Sequence, residues 1–272
     1  GITTSSTVIV GSGVTISESG IEASGIGITC ANINGTQIGG RRNLIINGAM
    51  EVAQRGTSST SDGYHTVDRI QKGEGGTDES VTQSQSDVAS GTTPYTEGFR
   101  KAFKLTNGNQ TGGADAADYA RMVYSIEAQD LAKCGWNYTS SSSFVTLQFW
   151  IKASVAQNYY FIFNTADGGQ ARTFVMETGS LSADTWTKIT KTFPGDSQLA
   201  FDNDTGIGCY FYIYAYLGTN YADNSVSVNA WKNSANPQTP VMATTWWTTN
   251  DATLEMTGLQ FEAVSYTHLR AH

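Results

Sequence analysis

Few residues in this chain are equipped for acid–base or nucleophilic chemistry. Outside the C-terminal stretch that carries His268 and His272, His65 is the only histidine. A Ser-His-Asp triad, a Cys-His pair or a His-rich metal site each needs a well-placed imidazole. His65 lies in an apparently strand-bearing segment, where a single histidine reads as structural or exposed. Cys30, Cys134 and Cys209 are odd in number and far apart, so they supply neither a disulfide framework nor a CxxC metal spacing. Asp202, Asp204 and Asp251 stand in turn-like contexts, and no spacing pairs two of them across a cleft as glycoside hydrolysis requires. No catalytic residue is nominated.

Contact chemistry is better represented. Tyr210, Tyr212, Tyr214 and Tyr216 alternate with Phe211, Ile213, Ala215 and Leu217. In a strand the four tyrosines share one face, and their hydroxyls need polar partners or water. Such a face can be a platform for sugar rings lying flat on the aromatics, a half-buried packing surface, or a subunit interface, where tyrosine is enriched. Packing is the commoner role of an aromatic stripe on a strand. Trp246 and Trp247 are adjacent and point to opposite faces if extended, which predicts one in the core and the other, Trp247, at the rim. Trp136 and Tyr138 fall in the loop GWNYTSSSS, and Trp231 in VNAWKN is similar; loops are where sandwich domains place specificity. These eight residues, Trp136, Tyr138, the four tyrosines, Trp231 and Trp247, are the candidate ligand contacts.

Composition excludes several function classes. The formal charge is −8 and the pI about 4.8. Arg41 and Arg42 form the only basic cluster, so nucleic-acid binding through phosphate neutralisation is excluded. No apolar run approaches the roughly 20 residues needed to span a bilayer as a helix. The chain starts at Gly1 without Met or an apolar leader, which predicts an internal or processed piece and leaves no signal peptide to argue. Asn34, Asn109, Asn137 and Asn203 open Asn-x-Ser/Thr triplets, a pattern that arises by chance in a chain rich in Asn and Thr.

The elements that must position these residues change character at Arg42–Arg55, RNLIINGAMEVAQR. Before it, TVIV, VTIS, GIEAS, IGITC and ANING are short β-branched pieces between Gly and Ser, each too short to bury a face alone. Neighbouring rungs or chains complete the core in a β-rich stalk; the alternative is a disordered linker, against which low charge and many Ile and Val argue. Beyond it, Val145, Leu147, Phe149 and Ile151 alternate with Thr146, Gln148, Trp150 and Lys152, the period of a half-buried strand. Phe103 and Leu105 alternate with Lys104 and Thr106 likewise. Leu254 and Met256 fall on one parity and Leu259 and Phe261 on the other, which predicts a β-bulge at Gly258. DTWTKITKTF, with Trp186, Ile189 and Phe193, is a further strand, and Ile126–Lys133 is the best helix. Leu44, Ile45 and Ile46 predict the first strand of the head, turned at Asn47 and Gly48. Many short strands with one minor helix favour an all-β antiparallel sandwich. The expected organisation is a stalk over 1–41, a sandwich head over 42–263, and a tail over 264–272.

Four landmarks, Asn43–Gly48, Leu147–Ser154, Asp184–Lys188 and Thr257–Glu262, resemble in order those of jelly-roll carbohydrate-binding modules. NLIINGAMEVAQRG, DGYHTVDRI, GTTPYTEGFRKAFKLTNGNQT and IEAQDLAKCGWNY resemble head domains of tail-fibre or virion structural proteins from marine bacteriophages. That resemblance covers roughly 41–263. It implies a non-enzymatic attachment component of the virion, acting outside the host cell, with a jelly-roll head that binds a host-surface glycan. It also implies a homotrimeric stalk contacting other virion proteins. The alternatives are a glycan-active enzyme and a secreted cellular carbohydrate-binding module. Many such modules hold a structural calcium where first and last strands meet; Glu51 and Glu262 are the carboxylates placed to supply it, although no Asp-rich run surrounds either. No other cofactor is implied. VSYTHLRAH, Val264 to His272, resembles one translated frame of a sequencing adaptor, which predicts a non-native tail.

Overall fold

A computed structural model describes residues 43–263 in full, together with the backbone of Val264 and of short strands before residue 43. The chain divides into two compact units, Gly1–Gly40 and Arg41–His272. In the first, β1 (Thr7–Ile9), β2 (Val14–Ser17) and β3 (Gly20–Ala23) form an antiparallel ladder, and β4 (Asn32–Ile33) pairs with β5 (Thr36–Gln37). IGITC and the tail beyond Val264 lie outside the described residues.

The second unit is an all-β sandwich. In chain order it comprises β6 (Ser58–Ser59), β7 (Ile70–Gly75), β8 (Thr82–Asp87), α1 (Thr93–Thr96), β9 (Lys101–Thr106), β10 (Tyr119–Glu127), α2 (Ala128–Lys133) and β11 (Phe144–Ala153). Then follow β12 (Asn158–Thr165), β13 (Arg172–Ser180), β14 (Thr187–Pro194), β15 (Ile207–Leu217), β16 (Ala230–Asn233), α3 (Thr245–Thr248) and β17 (Thr253–Val264). The front sheet runs β16-β13-β12-β15-β10-β7 and the back sheet β14-β11-β17-β9-β8-β6. Every ladder is antiparallel and the chain crosses repeatedly between sheets, a jelly-roll arrangement.

The expected alternation in β11 is present: Val145, Leu147, Phe149 and Ile151 are buried. Trp150, on the opposite parity, is covered as well, and its indole donates to Glu97 Oε2 at 3.0 Å. Between the sheets, Phe261 of the back sheet meets Phe211 of the front sheet at 5.0 Å between centroids, and Phe163 at 5.7 Å. Full burial of each such ring contributes about 1.5–3 kcal/mol. Lys72 bridges the edge between the sheets: its ammonium is buried and bonds Thr60 O, Val81 O, Asp62 and Glu74 at 2.8–3.0 Å, which satisfies a charge that would otherwise be prohibitive inside.

β17 carries the bulge predicted from its two parities. Gln148 pairs with Gln260 and Trp150 with Thr257, so the register slips there, and Gly258 has φ +65°. Leu254, Met256, Leu259 and Phe261 are all buried as a result.

Three boundaries differ from expectation. Leu44–Ile46 is not a strand: Asn43 makes a single bridge to Glu262, and Leu44 N donates to Phe261 O at 2.9 Å. Asn43 Oδ1 accepts from both Ile45 N and Phe261 N, so a side chain replaces part of the ladder. Asn47 does turn the chain, at φ 59°. The helix begins at Ala128, not Ile126, because Ile126 and Glu127 still pair with β15. Trp186 precedes β14, which starts at Thr187.

Tyr124, on the inner face of β10, reaches across to the opening segment, where its hydroxyl accepts from Ile46 N at 2.6 Å. Burial pushes this phenol up to about 12 from an ordinary 10.0. Its stabilising contribution is complete below about pH 10 and is lost as pH rises toward 12, because the unfolded chain ionises first. We expect the unfolding free energy from urea melts to fall over that window. In Tyr124→Phe the fall should be shallower, with about 1–2 kcal/mol lost at pH 7 because the Ile46 amide is left unpaired. Gly258→Ala should cost about 1–3 kcal/mol by the same measurement, since a Cβ there would sit 2.8 Å from the Phe99 ring on a left-handed backbone.

Candidate functional site

β15 is the central strand of the front sheet's aromatic face. Cys209, Phe211 and Ile213 point inward and are buried, so Tyr210, Tyr212 and Tyr214 point away from the back sheet, whereas the register slips between Ala120 and Arg121 and Tyr216 pairs with the core residue Ala120. The expectation of one shared face holds for Tyr210, Tyr212 and Tyr214 and fails for Tyr216, because the irregularity beside Ala215 breaks the period of two. Tyr214 is fully buried and its hydroxyl donates to Gln238 Oε1. Burial raises its pKa above the ordinary value, against the nearby Arg121 charge. Tyr216 is 3% exposed and lies on Trp247 with centroids 5.2 Å apart. The segment after β15 roofs this end, with Tyr221 edge-on to Tyr119 at 6.1 Å. Tyr210 and Tyr212 stay half-buried and stack on each other at 5.3 Å and 12°.

β10 supplies the neighbours. Its inward residues Met122, Tyr124 and Ile126 are core, which turns Arg121, Val123 and Ser125 outward beside the tyrosines. Ser125 pairs with Tyr210, Val123 with Tyr212 and Arg121 with Tyr214. The Arg121 guanidinium lies 4.4 Å from the Tyr212 ring centroid and 5.0 Å from that of Tyr119, within cation–π range. Space for it comes from β7: a Cβ on Gly73 would stand 3.2 Å from Arg121 Nε, and one on Gly75 would stand 2.5 Å from Tyr119. Arg121 Nε and Ser125 Oγ are buried and have no hydrogen-bond partner. Each is a buried polar atom left without a partner, which is costly unless something polar meets it.

The other candidate contacts are structural. Trp136 is 4% exposed and sits among Phe163, Phe193 and Phe261 at 6.2–6.4 Å, its indole donating to Ser143 O. It belongs to a loop in sequence, but that loop tucks into the core. Tyr138 packs edge-on against Phe201 at 4.9 Å. Trp231 is on β16, inward by register with Phe174, and donates to Pro194 O at 2.9 Å. Trp246 and Trp247 are both 0% exposed, because they lie in α3 and a helical turn lets neighbouring side chains enter one core. Trp247 is therefore not a rim contact. His65 is exposed.

The residues proposed for calcium do not fit the ion. Calcium takes six to eight oxygen ligands, mostly carboxylates and carbonyls. Among the described residues no group of three or more His, Cys, Asp or Glu side chains converges. Glu51 is exposed, and Glu262 is on β17 beside Asn43, whose carboxamide oxygen is already taken by two amides. Among the carboxylates, burial raises Asp118 and Asp167 above the ordinary value; Asp118 accepts the amide of Asp115 in its own loop, and Asp167 that of Asp202 in the loop after β14.

No family model and no curated protein matches the sequence. Among solved structures, the enzymatically active domain of tailspike protein 4 from bacteriophage CBA120 is 9% identical with a TM-score of 0.42. The match covers 82% of this chain and 22% of the tailspike chain, so this protein spans about a fifth of it. The family 11 carbohydrate-binding module from Clostridium thermocellum, solved with a mixed-linked tetrasaccharide, is 15% identical, with 76% and 95% coverage and a TM-score of 0.34. A xylan-binding domain from Paenibacillus barcinonensis is 10% identical, with 83% and 96% coverage and a TM-score of 0.36.

Trp136→Ala should behave as a core truncation. The expected loss is about 3–5 kcal/mol of unfolding free energy, read from chemical denaturation; a loss under about 1 kcal/mol would place the indole outside the core.

Proposed function

We propose that the head is a non-enzymatic glycan-binding domain, and that the chain is an attachment component of a bacteriophage tail fibre. The observation that supports glycan binding is the Tyr210–Tyr212 stack beside Arg121 and Ser125. A sugar offers C–H faces to aromatic rings and hydroxyls to polar atoms, and this corner of the front sheet offers both complements. The virion role rests on the sequence resemblance and on the Gly- and Thr-rich segment preceding the head. Several chains joined through such a stalk would present several heads, and weak sites then bind with high avidity. The partners are a host-surface glycan, further copies of this chain in a trimer, and other virion proteins.

Glycan-array screening of the full chain, followed by calorimetry on the hits, tests the reading. Tyr212→Ala is expected to weaken glycan binding at least tenfold, in line with loss of one stacking aromatic, while Trp136→Ala acts through stability. A full chain that binds no glycan and instead holds another virion protein would remove the receptor-binding role. A folded monomer by solution mass measurement would remove the fibre assignment.

A further inference from the structure

Arg121 is a cation without a counter-ion. Among the described residues no carboxylate lies within ion-pair distance of it, although Arg55, Arg69, Lys72, Lys101, Lys152, Arg172 and Lys188 all have one. Its register partners explain why: Gly73 faces it from β7 and Tyr214 from β15. The outward carboxylate of β13, Glu177, lies beyond β15 and β12 and is held by Asn158 Nδ2 at 2.7 Å. Tyrosine faces and a phenol hydroxyl surround the guanidinium where those seven cations have a carboxylate. Among the described residues Arg100, Lys104, Lys133, Lys191 and Lys232 have no ion pair either, but only Arg121 combines that with a buried guanidinium nitrogen, Nε, that has no hydrogen-bond partner. Desolvating a charge without an opposite charge is unfavourable, and the deficit is made up when an anion arrives. Arginine suits that role because its planar fork matches the oxygens of a carboxylate or an oxyanion ester.

We propose that the front-sheet site takes an acidic glycan, with Arg121 pairing to a carboxylate or sulfate group while a neighbouring sugar ring lies against Tyr210, held in place by its stack on Tyr212. Ser125 Oγ, on the same strand, meets a hydroxyl of that ligand. This rests on the glycan-binding reading and narrows it to one chemical class. Arg121 here determines specificity, because the tyrosine stack serves a neutral sugar as well as an acidic one.

Calorimetry on the full chain would compare three ligands of equal length: a tetragalacturonate, the same oligomer with its carboxyls reduced to alcohols, and a sulfated galactan tetrasaccharide. The acidic oligomers should bind at least tenfold more tightly than the reduced one, and that advantage should shrink between 50 and 500 mM salt. Binding of galacturonate alone, or of the sulfated oligomer alone, assigns the anion. Arg121→Gln should abolish the preference, bringing the acidic oligomers to the affinity of the reduced one; Arg121→Lys should retain part of it. If Arg121→Gln fails to fold, the wild-type selectivity and its salt dependence decide the matter without it. Equal affinity for acidic and reduced oligomers overturns the acidic-glycan assignment and leaves the glycan-binding reading standing. A chain that binds none of the three and no other glycan removes both.

Discussion

The head depends on its last strand being able to change faces partway along. Leu254 and Met256 are on one parity of β17, Leu259 and Phe261 on the other, and only the extra residue at Gly258 lets all four enter the same core. Phe261 then meets Phe211, Phe163, Phe193 and Trp136, the rings that hold the two sheets together. The second half of β17 also receives the opening segment through Asn43, Leu44 and Gly48, with Leu259 N donating to Gly48 O at 3.0 Å. Start and end of the head are thus fastened on one strand. Tyr124 adds a tie from the opposite sheet to the same segment.

That construction leaves the front sheet free to differ along its outer face. At one end the long connection after β15 covers Tyr214 with Gln238 and Tyr119 with Tyr221. At the other end Tyr210 and Tyr212 stay half-covered beside Arg121. The glycines of β7 matter for the same reason: where a side chain would fill the space, their absence of Cβ admits a guanidinium and a tyrosine ring. A rigid sheet then presents aromatic and polar groups in fixed relation, which limits the entropy lost on binding.

Some of this was legible in the residues. The strands around Val145–Lys152 and Phe103–Thr106 declared themselves by alternation, and the bulge by a change of parity across a glycine. The shared face of Tyr210, Tyr212 and Tyr214 followed from period two alone, and Tyr216 was misplaced because an irregularity in the ladder leaves no mark in the period. What was missed was in the same kind of signal: Ala120, Met122, Tyr124 and Ile126 alternate with Arg121, Val123 and Ser125, which marks β10 and sets Arg121 outward. Trp136 and Trp247 misled because a loop or a turn can enter a core as readily as a strand.

The sequence by itself determined that this is an all-β, acidic chain with little catalytic equipment, because composition and periodicity are local properties of the residues. Only the tertiary structure decided which tyrosines are roofed, that Arg121 stands beside Tyr212, and that no carboxylate among the described residues accompanies it. β10 and β15 are pairs distant in the chain, and the cover over Tyr214 comes from a connection with no period to read. Such relations depend on sheet order and register, which local pattern does not encode.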